Sequence, residues 1–316
     1  MMLARVADAL YWMGRYLERA ENTARVLAVQ HNALIDNPVE DANTGWRRVL
    51  QGLAIPHPVQ DEIDSRAAFA SVLLDRAEPA SFVAALSNAR ENARQIREQV
   101  SSEMWECLNK QYLAARQASF DENWEDRLQD FCQQAIDGLH HFAGVTTATM
   151  SRGEGWRFIR IGYTLERAQF LSRLLEAYFA PAAETGAPGR GGLVTLLKMC
   201  SAFEAFCKAK GANISAGDVA AFLVFDRDFP RSLSFAVHRL RNELTQLAPE
   251  SRSPSAGQAQ RLVGRAAAAL EYGSPEDLSP GRFREFLRTA NANCEAIHRA
   301  INETYITYPV TARIAS

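Results

Sequence analysis

Apolar residues return every three or four positions along almost the whole chain. Leu3, Val6, Leu10, Met13, Leu17, Ala20, Ala24 and Leu27 form one seam, the spacing of a single helix face. The seam reaches about residue 35, where Asp-Asn-Pro at 36–38 ends it. At 1.5 Å per residue a helix over about 3–35 is a rod of roughly 50 Å. A weaker helix is predicted over 46–53, stopped by "IPHPVQD", and another over 65–76. After "EPASF", the residues Phe82, Leu86, Ala89, Ala93, Ile96, Val100 and Met104 predict one long helix. Further helices are predicted over 121–150, 154–180, 192–209, 216–225, 231–247, 258–272 and 281–307. "PAAETGAPGRGG" (181–192) and "APESRSPSAGQ" (248–258) read as loops. No alternating run of strand length occurs, so the pattern predicts an all-α chain, a single large helical bundle forming one domain over 1–316.

Two of these helices share more than apolar spacing. "GRYLERAENTARVL" (14–27) returns as "GYTLERAQFLSRLL" (162–175), an offset of 148 with seven of fourteen positions identical. The identities include Gly14/Gly162, Glu18/Glu166, Arg19/Arg167 and Arg25/Arg173. Any buried helix needs Leu and Ala, but a repeated Leu-Glu-Arg-Ala followed by Arg needs a further reason. Glu18 and Arg19 point about 100° apart on a helix and do not pair with each other. They project from the two margins of the apolar seam. One reading leaves the long stems at the edge of the core with their heads in water. The other packs the helices over about 3–35 and 154–180 together as an internal repeat, each supplying the other's counterion, because a charge taken inward must find a partner. That reading places Glu18 near Arg167 or Arg173 and Glu166 near Arg19 or Arg25.

Composition narrows the setting. Hydrophobic residues make up 47% of 316 positions, ample for a core. A net charge of −2 offers no field for nucleic acid or an acidic membrane. No apolar stretch has the length of a membrane span, and the charged N-terminal segment lacks the apolar core of a signal peptide. These features point to a cytoplasmic protein. Five Cys without CxxC spacing read as reduced thiols, with Cys200 and Cys207 on one face of one helix as small buried hydrophobes.

Two polar segments add candidates. "NARENARQIREQVSSEMWECLN" (88–109) concentrates Arg90, Glu91, Arg94, Arg97 and Glu98, either a solvated face of spaced ion pairs or a polar segment in which Arg94 is a candidate binding residue. "MSRGEGWRF" (150–158) sets Trp156 and Arg157 at the entry to the second Glu-Arg helix, a stacking or anion site or plain packing. The candidate binding residues are thus Arg15, Glu18, Arg19, Arg25, Arg94, Trp156, Arg157, Glu166, Arg167 and Arg173. The six His show no metal-ligand spacing, and no GxSxG, phosphate-loop ending or di-iron Glu-x-x-His pair occurs. No cofactor, metal or catalytic residue is therefore expected.

"RVADALYWMGRYLERAENTARVL", "ARENARQIREQVSSEMWECLN", "MSRGEGWRFIRIGYTLERAQFLSRLL" and "FDRDFPRSLSFAV" together resemble the bacterial alpha-E domain family, over about Leu3 to Tyr308. The resemblance implies one all-α domain without an assigned activity. It also implies association with an ATP-grasp-type ligase or a transglutaminase-like protein in a peptide-forming or peptide-modifying pathway. The family pattern is intact from Gly14 to Arg19. The second copy departs, with Tyr163 where the pattern has a basic residue matching Arg15. The leading expectation is an accessory helical partner of such a ligase. The alternative is an enzyme whose Glu-Arg layer binds a carboxylated or phosphorylated substrate. A water-accessible polar cavity at Glu18 and Glu166 favours the enzyme; a dry, paired cluster favours the partner.

Overall fold

The computed structural model describes residues 2–36, 42–56, 62–118, 124–179, 188–247, 256–274 and 280–306. Among them are thirteen α-helices and no strand. The helices are α1 (Ala4–Asp36), α2 (Ala42–Leu53), α3 (Ser65–Leu74), α4 (Phe82–Gln95), α5 (Ser102–Arg116), α6 (Trp124–Thr149), α7 (Glu154–Tyr178), α8 (Arg190–Met199), α9 (Phe203–Lys210), α10 (Ala216–Phe225), α11 (Leu233–Leu247), α12 (Ala256–Glu271) and α13 (Pro280–Ile301). A π turn, Asn302–Ile306, continues α13. The two polar loops expected at 181–192 and 248–258 lie mostly outside the described residues; their described ends, from Arg190 and Ala256, already belong to α8 and α12.

Helices α1 and α7 are the central pair. α7 buries 18 of its 25 residues, more than one face can hold, so it is enclosed by neighbours on most sides. α1 is likewise buried around its circumference from Val6 to Ala28. The two pack on each other more extensively than any other pair. α4 and α6 cover α1, while α2, α11 and α13 cover α7. Contacts advance along both helices together: the Met2 amide donates to Glu154 (2.6 Å), Gly14 meets Ile159, and Arg167 meets Glu18. The pair therefore runs in the same sense.

The glycines explain how closely they approach. A Cβ at Gly14 would lie 2.3 Å from the carbonyl oxygen of Ile159, and one at Gly162 would lie 2.1 Å from that of Tyr11. Each glycine thus faces the backbone one turn before the other glycine, and only hydrogen fits between.

Two expected helices are broken. The run from Phe82 to Met104 stops at Gln95: Ile96 leaves helical geometry (φ −125°, ψ 39°), a 3₁₀ turn follows, and Ser101 caps α5 by accepting from the Met104 amide. The run over 192–209 divides at Ser201, which sits at φ 50°, so Cys200 and Cys207 lie on different sides of a break rather than on one helix face. Apolar spacing survives both interruptions, which is why periodicity alone joins the segments. Cys132, Cys200 and Cys294 are buried, and burial pushes each thiol up to about 12. Such thiols carry little thiolate at neutral pH and pack as small hydrophobes.

Candidate functional site

The glycine contact sets the geometry of the charged layer. Glu18 and Glu166 stand one helical turn beyond Gly14 and Gly162, where the backbones are still close enough for a side chain to cross. Arg167 grips Glu18 with two hydrogen bonds, Nε to Oε1 at 2.8 Å and Nη2 to Oε2 at 2.7 Å. In the other direction Arg19 Nε donates to Glu166 Oε1 at 2.7 Å, and Arg15 Nε donates to Glu166 Oε2 at 2.7 Å. Glu18 is 0% exposed and Glu166 4%. The charges lie inside the core rather than at its margins. Arg19 and Arg167 keep part of their heads in solvent and donate to the carbonyls of Pro79 (3.5 Å) and Pro230 (3.3 Å).

The two ends differ in their wider partners. At the Glu166 end, Arg15 also donates to Gln169 and to the Tyr11 hydroxyl (3.3 Å), which bonds His298 Nδ1 at 2.7 Å. Arg173, half-buried, lies within electrostatic range of Glu166. At the Glu18 end, Gln169's counterpart is Glu21, which is buried and accepts from Arg25 (2.6 Å), His140 (3.0 Å) and Arg231. Arg231 also donates to Asn22 (3.1 Å) and stands 3.6 Å from Glu18. The guanidinium missing at Tyr163 is therefore supplied by Arg231, from the segment before α11. Arg25, placed near Glu166 as one option in the sequence reading, instead pairs with Glu21 on its own helix, because four residues bring the two onto one face.

Burial pushes the Glu166 carboxyl up, but Arg15 and Arg19 outweigh it and hold the group at about 2. Arg15 and Arg167 are both held more firmly protonated than usual; burial works against the charge, and Glu166 and Glu18 respectively overcome it. A carboxylate of this kind, closed to solvent and held by two guanidiniums, is a poor general base at neutral pH. The arrangement can orient helices and exclude alternative registers.

His298 extends the layer. Burial, and then the nearby Arg15, lowers its imidazole to about 4. The chain of donors runs Arg15 to Tyr11 hydroxyl to His298 Nδ1, which requires that nitrogen unprotonated. An NMR titration of the His298 ring should give a midpoint near 4; a midpoint near the ordinary value of about 6.5 would show that the ring is not held in this way. The unfolded chain takes up this proton first, so His298 makes stability fall as pH drops from about 6.5 towards 4.

A family match covers residues 2–306, nearly the whole chain, and is described as "a predicted alpha-helical domain with a conserved ER motif". The chain belongs to the Alpha-E family. An uncharacterised protein of Mycobacterium bovis is 28% identical over 298 residues, and uncharacterised proteins of two Mycobacterium tuberculosis strains are 28% and 27% identical over the same length. Each alignment covers 87% of this chain but 33% of the relative, so the chain spans about a third of the length of these proteins. No solved structure matches.

In this Alpha-E chain the remaining candidates fall outside the layer. Arg94 is exposed and chelates Glu91 (2.7 and 2.9 Å), three residues earlier on α4. Trp156 is buried beneath Arg152, whose guanidinium lies 3.7 Å from the ring centre. Arg157 reaches Glu243 at 3.4 Å and also donates to Gln246. Among the described residues no group of three or more His, Cys, Asp or Glu is placed to hold a metal, and no helix is long and apolar enough to cross a membrane.

Glu21, Arg231 and the two proline carbonyls were not singled out from the sequence. A second repeated string points to them. "DRAEPAS" (75–81) and "DRDFPRS" (226–232) share Asp-Arg-x-x-Pro-x-Ser. In both, the serine hydroxyl donates to the aspartate's carbonyl and caps the following helix, accepting at 3.1 Å from Ala84 and 3.0 Å from Phe235. That turn aims the proline carbonyl at the arginine of the Glu-Arg motif. Arg231 occupies the place of Ala80.

Proposed function

We propose that this Alpha-E protein is a non-catalytic helical partner of an ATP-grasp-type ligase, working in the cytoplasm on a peptide-forming or peptide-modifying reaction. Its Glu-Arg layer is architecture. The observation that carries this reading is the closed, reciprocal pairing of Glu18 with Arg167 and Glu166 with Arg19. Both carboxylates are buried and fully engaged, so neither faces a substrate as a base. The length of the mycobacterial relatives supports it too, since the matched region there is one part of a larger polypeptide. The matching Gly, Glu, Arg, Pro and Ser contacts at both ends of the pair support an origin of the two halves as copies of one unit.

The test is to purify the tagged protein from cells co-expressing an ATP-grasp-type ligase of the same organism and to assay the ligase with and without it. Retention of the ligase and dependence of its activity on the helical protein are the expected results. Turnover by the isolated protein that disappears in a well-folded Glu18→Gln variant would overturn the reading and make the layer a catalytic site.

A further inference from the structure

A second group of arginines, separate from the Glu-Arg layer, surrounds a cleft. The C-terminal end of α6, the α6–α7 connection, the first turns of α7 and the C-terminal half of α11 line an open cleft of about 480 Å³, walled by Arg152, Trp156, Arg157, Arg160, Arg239 and Glu243 with neutral polar side chains between them. Four guanidiniums against one carboxylate leave a formal surplus of three positive charges. The single carboxylate is already shared: Glu243 accepts from Arg239 at 3.1 Å and stands 3.4 Å from Arg157. Among the described residues, neither Arg152 nor Arg160 pairs with a carboxylate.

These two arginines are nevertheless placed. Arg152 lies 3.7 Å over the buried Trp156 ring and donates to the Thr147 carbonyl at 2.8 Å. Arg160 approaches the same ring at 5.8 Å, and its Nε is buried without a hydrogen-bond partner. Burial, followed by the neighbouring Arg239 and Arg167, works against the charge on Arg160. A like-charged cluster this close is unfavourable on its own and is relieved by an anion.

We propose that this cleft binds the phosphate groups of a phosphorylated small molecule, with Arg152 and Arg160, neither of them held by a carboxylate among the described residues, as its donors. Guanidinium forks match phosphate oxygens in pairs, and a phosphate brings nearly two charges and three acceptors where a carboxylate brings one charge and two. The volume lies in the range of small-molecule sites, so it has room for more than a bare ion. The site does not depend on the partner role proposed above, and its test is separate.

The experiment is calorimetric titration of the whole protein with pyrophosphate, and with citrate at matched ionic strength. Pyrophosphate should bind saturably at one site and more tightly than citrate. Arg160→Gln should weaken it by about tenfold or more, the effect of losing one charge-assisted hydrogen bond, while Arg94→Gln should leave it unchanged. Should Arg160→Gln fail to fold, Arg152→Gln, at an exposed position, serves the same purpose and should weaken binding likewise. Absence of saturable binding, equal affinity for citrate, or wild-type affinity in the folded arginine variant would each overturn the proposal.

Discussion

Gly162→Ala should lower stability by about 3 kcal/mol, although alanine normally improves a helix interior by about 1 kcal/mol. The added methyl would sit 2.1 Å from the Tyr11 carbonyl oxygen and 3.0 Å from the Arg15 amide nitrogen. Both are backbone atoms of α1, so no side chain can rotate away, and the two central helices must separate. Separation also lengthens the bonds between Glu166 and Arg15 and Arg19, which adds to the overpacking. For a chain of this size the shift corresponds to about 5 °C in Tm. Gly264, on α12, is the control: no atom lies within 4 Å of a Cβ placed there, so Gly264→Ala should raise Tm slightly. Thermal unfolding of the two variants side by side should move in opposite directions. A shared direction would rule out the tight glycine crossing.

Glu166→Gln should cost more than Glu18→Gln, though the two residues hold equivalent places. Glu166 is the carboxylate bonded to Arg15 and Arg19, with Arg173 in range, and its direct neighbour in the layer is the neutral Gln169. Neutralising it strands buried cations, a loss of about 3–5 kcal/mol. Glu18→Gln strands Arg167, but Arg231 keeps Glu21, so about 1–3 kcal/mol is expected. The acid limb of stability offers an independent check. The Glu166 carboxyl is held at about 2 against an ordinary 4.5, so its contribution is complete above 4.5 and is lost as pH falls from 4.5 towards 2. At about 1.4 kcal/mol per unit this is on the order of 3 kcal/mol. Denaturant unfolding across that window should show a shallower pH dependence in Glu166→Gln than in the natural protein. Equal slopes would mean that Glu166 is not the group responsible.

Much of this molecule could be read before its structure. The three-to-four spacing of apolar residues specifies helices wherever it occurs, because burial of one face is a local property of the chain. The interruptions at Ile96 and Ser201 escaped that reading, since a capped break can preserve the apolar phase on either side. The repeated Gly, Glu and Arg of α1 and α7 were visible as types and spacings, and the cost of burying lone charges already implied partners across the pair. Which partners they have depends on the crossing. Only the tertiary structure shows that the glycines bring backbone against backbone, that the charges lie in the core, and that Arg25 turns to Glu21. The same holds for Arg231, which reaches the layer from more than two hundred positions away from Glu21. Sequence determined the helices and the demand for counterions, because both follow from local spacing and burial cost. The identity of each counterion is a long-range outcome of how two helices approach, and no local pattern encodes that distance.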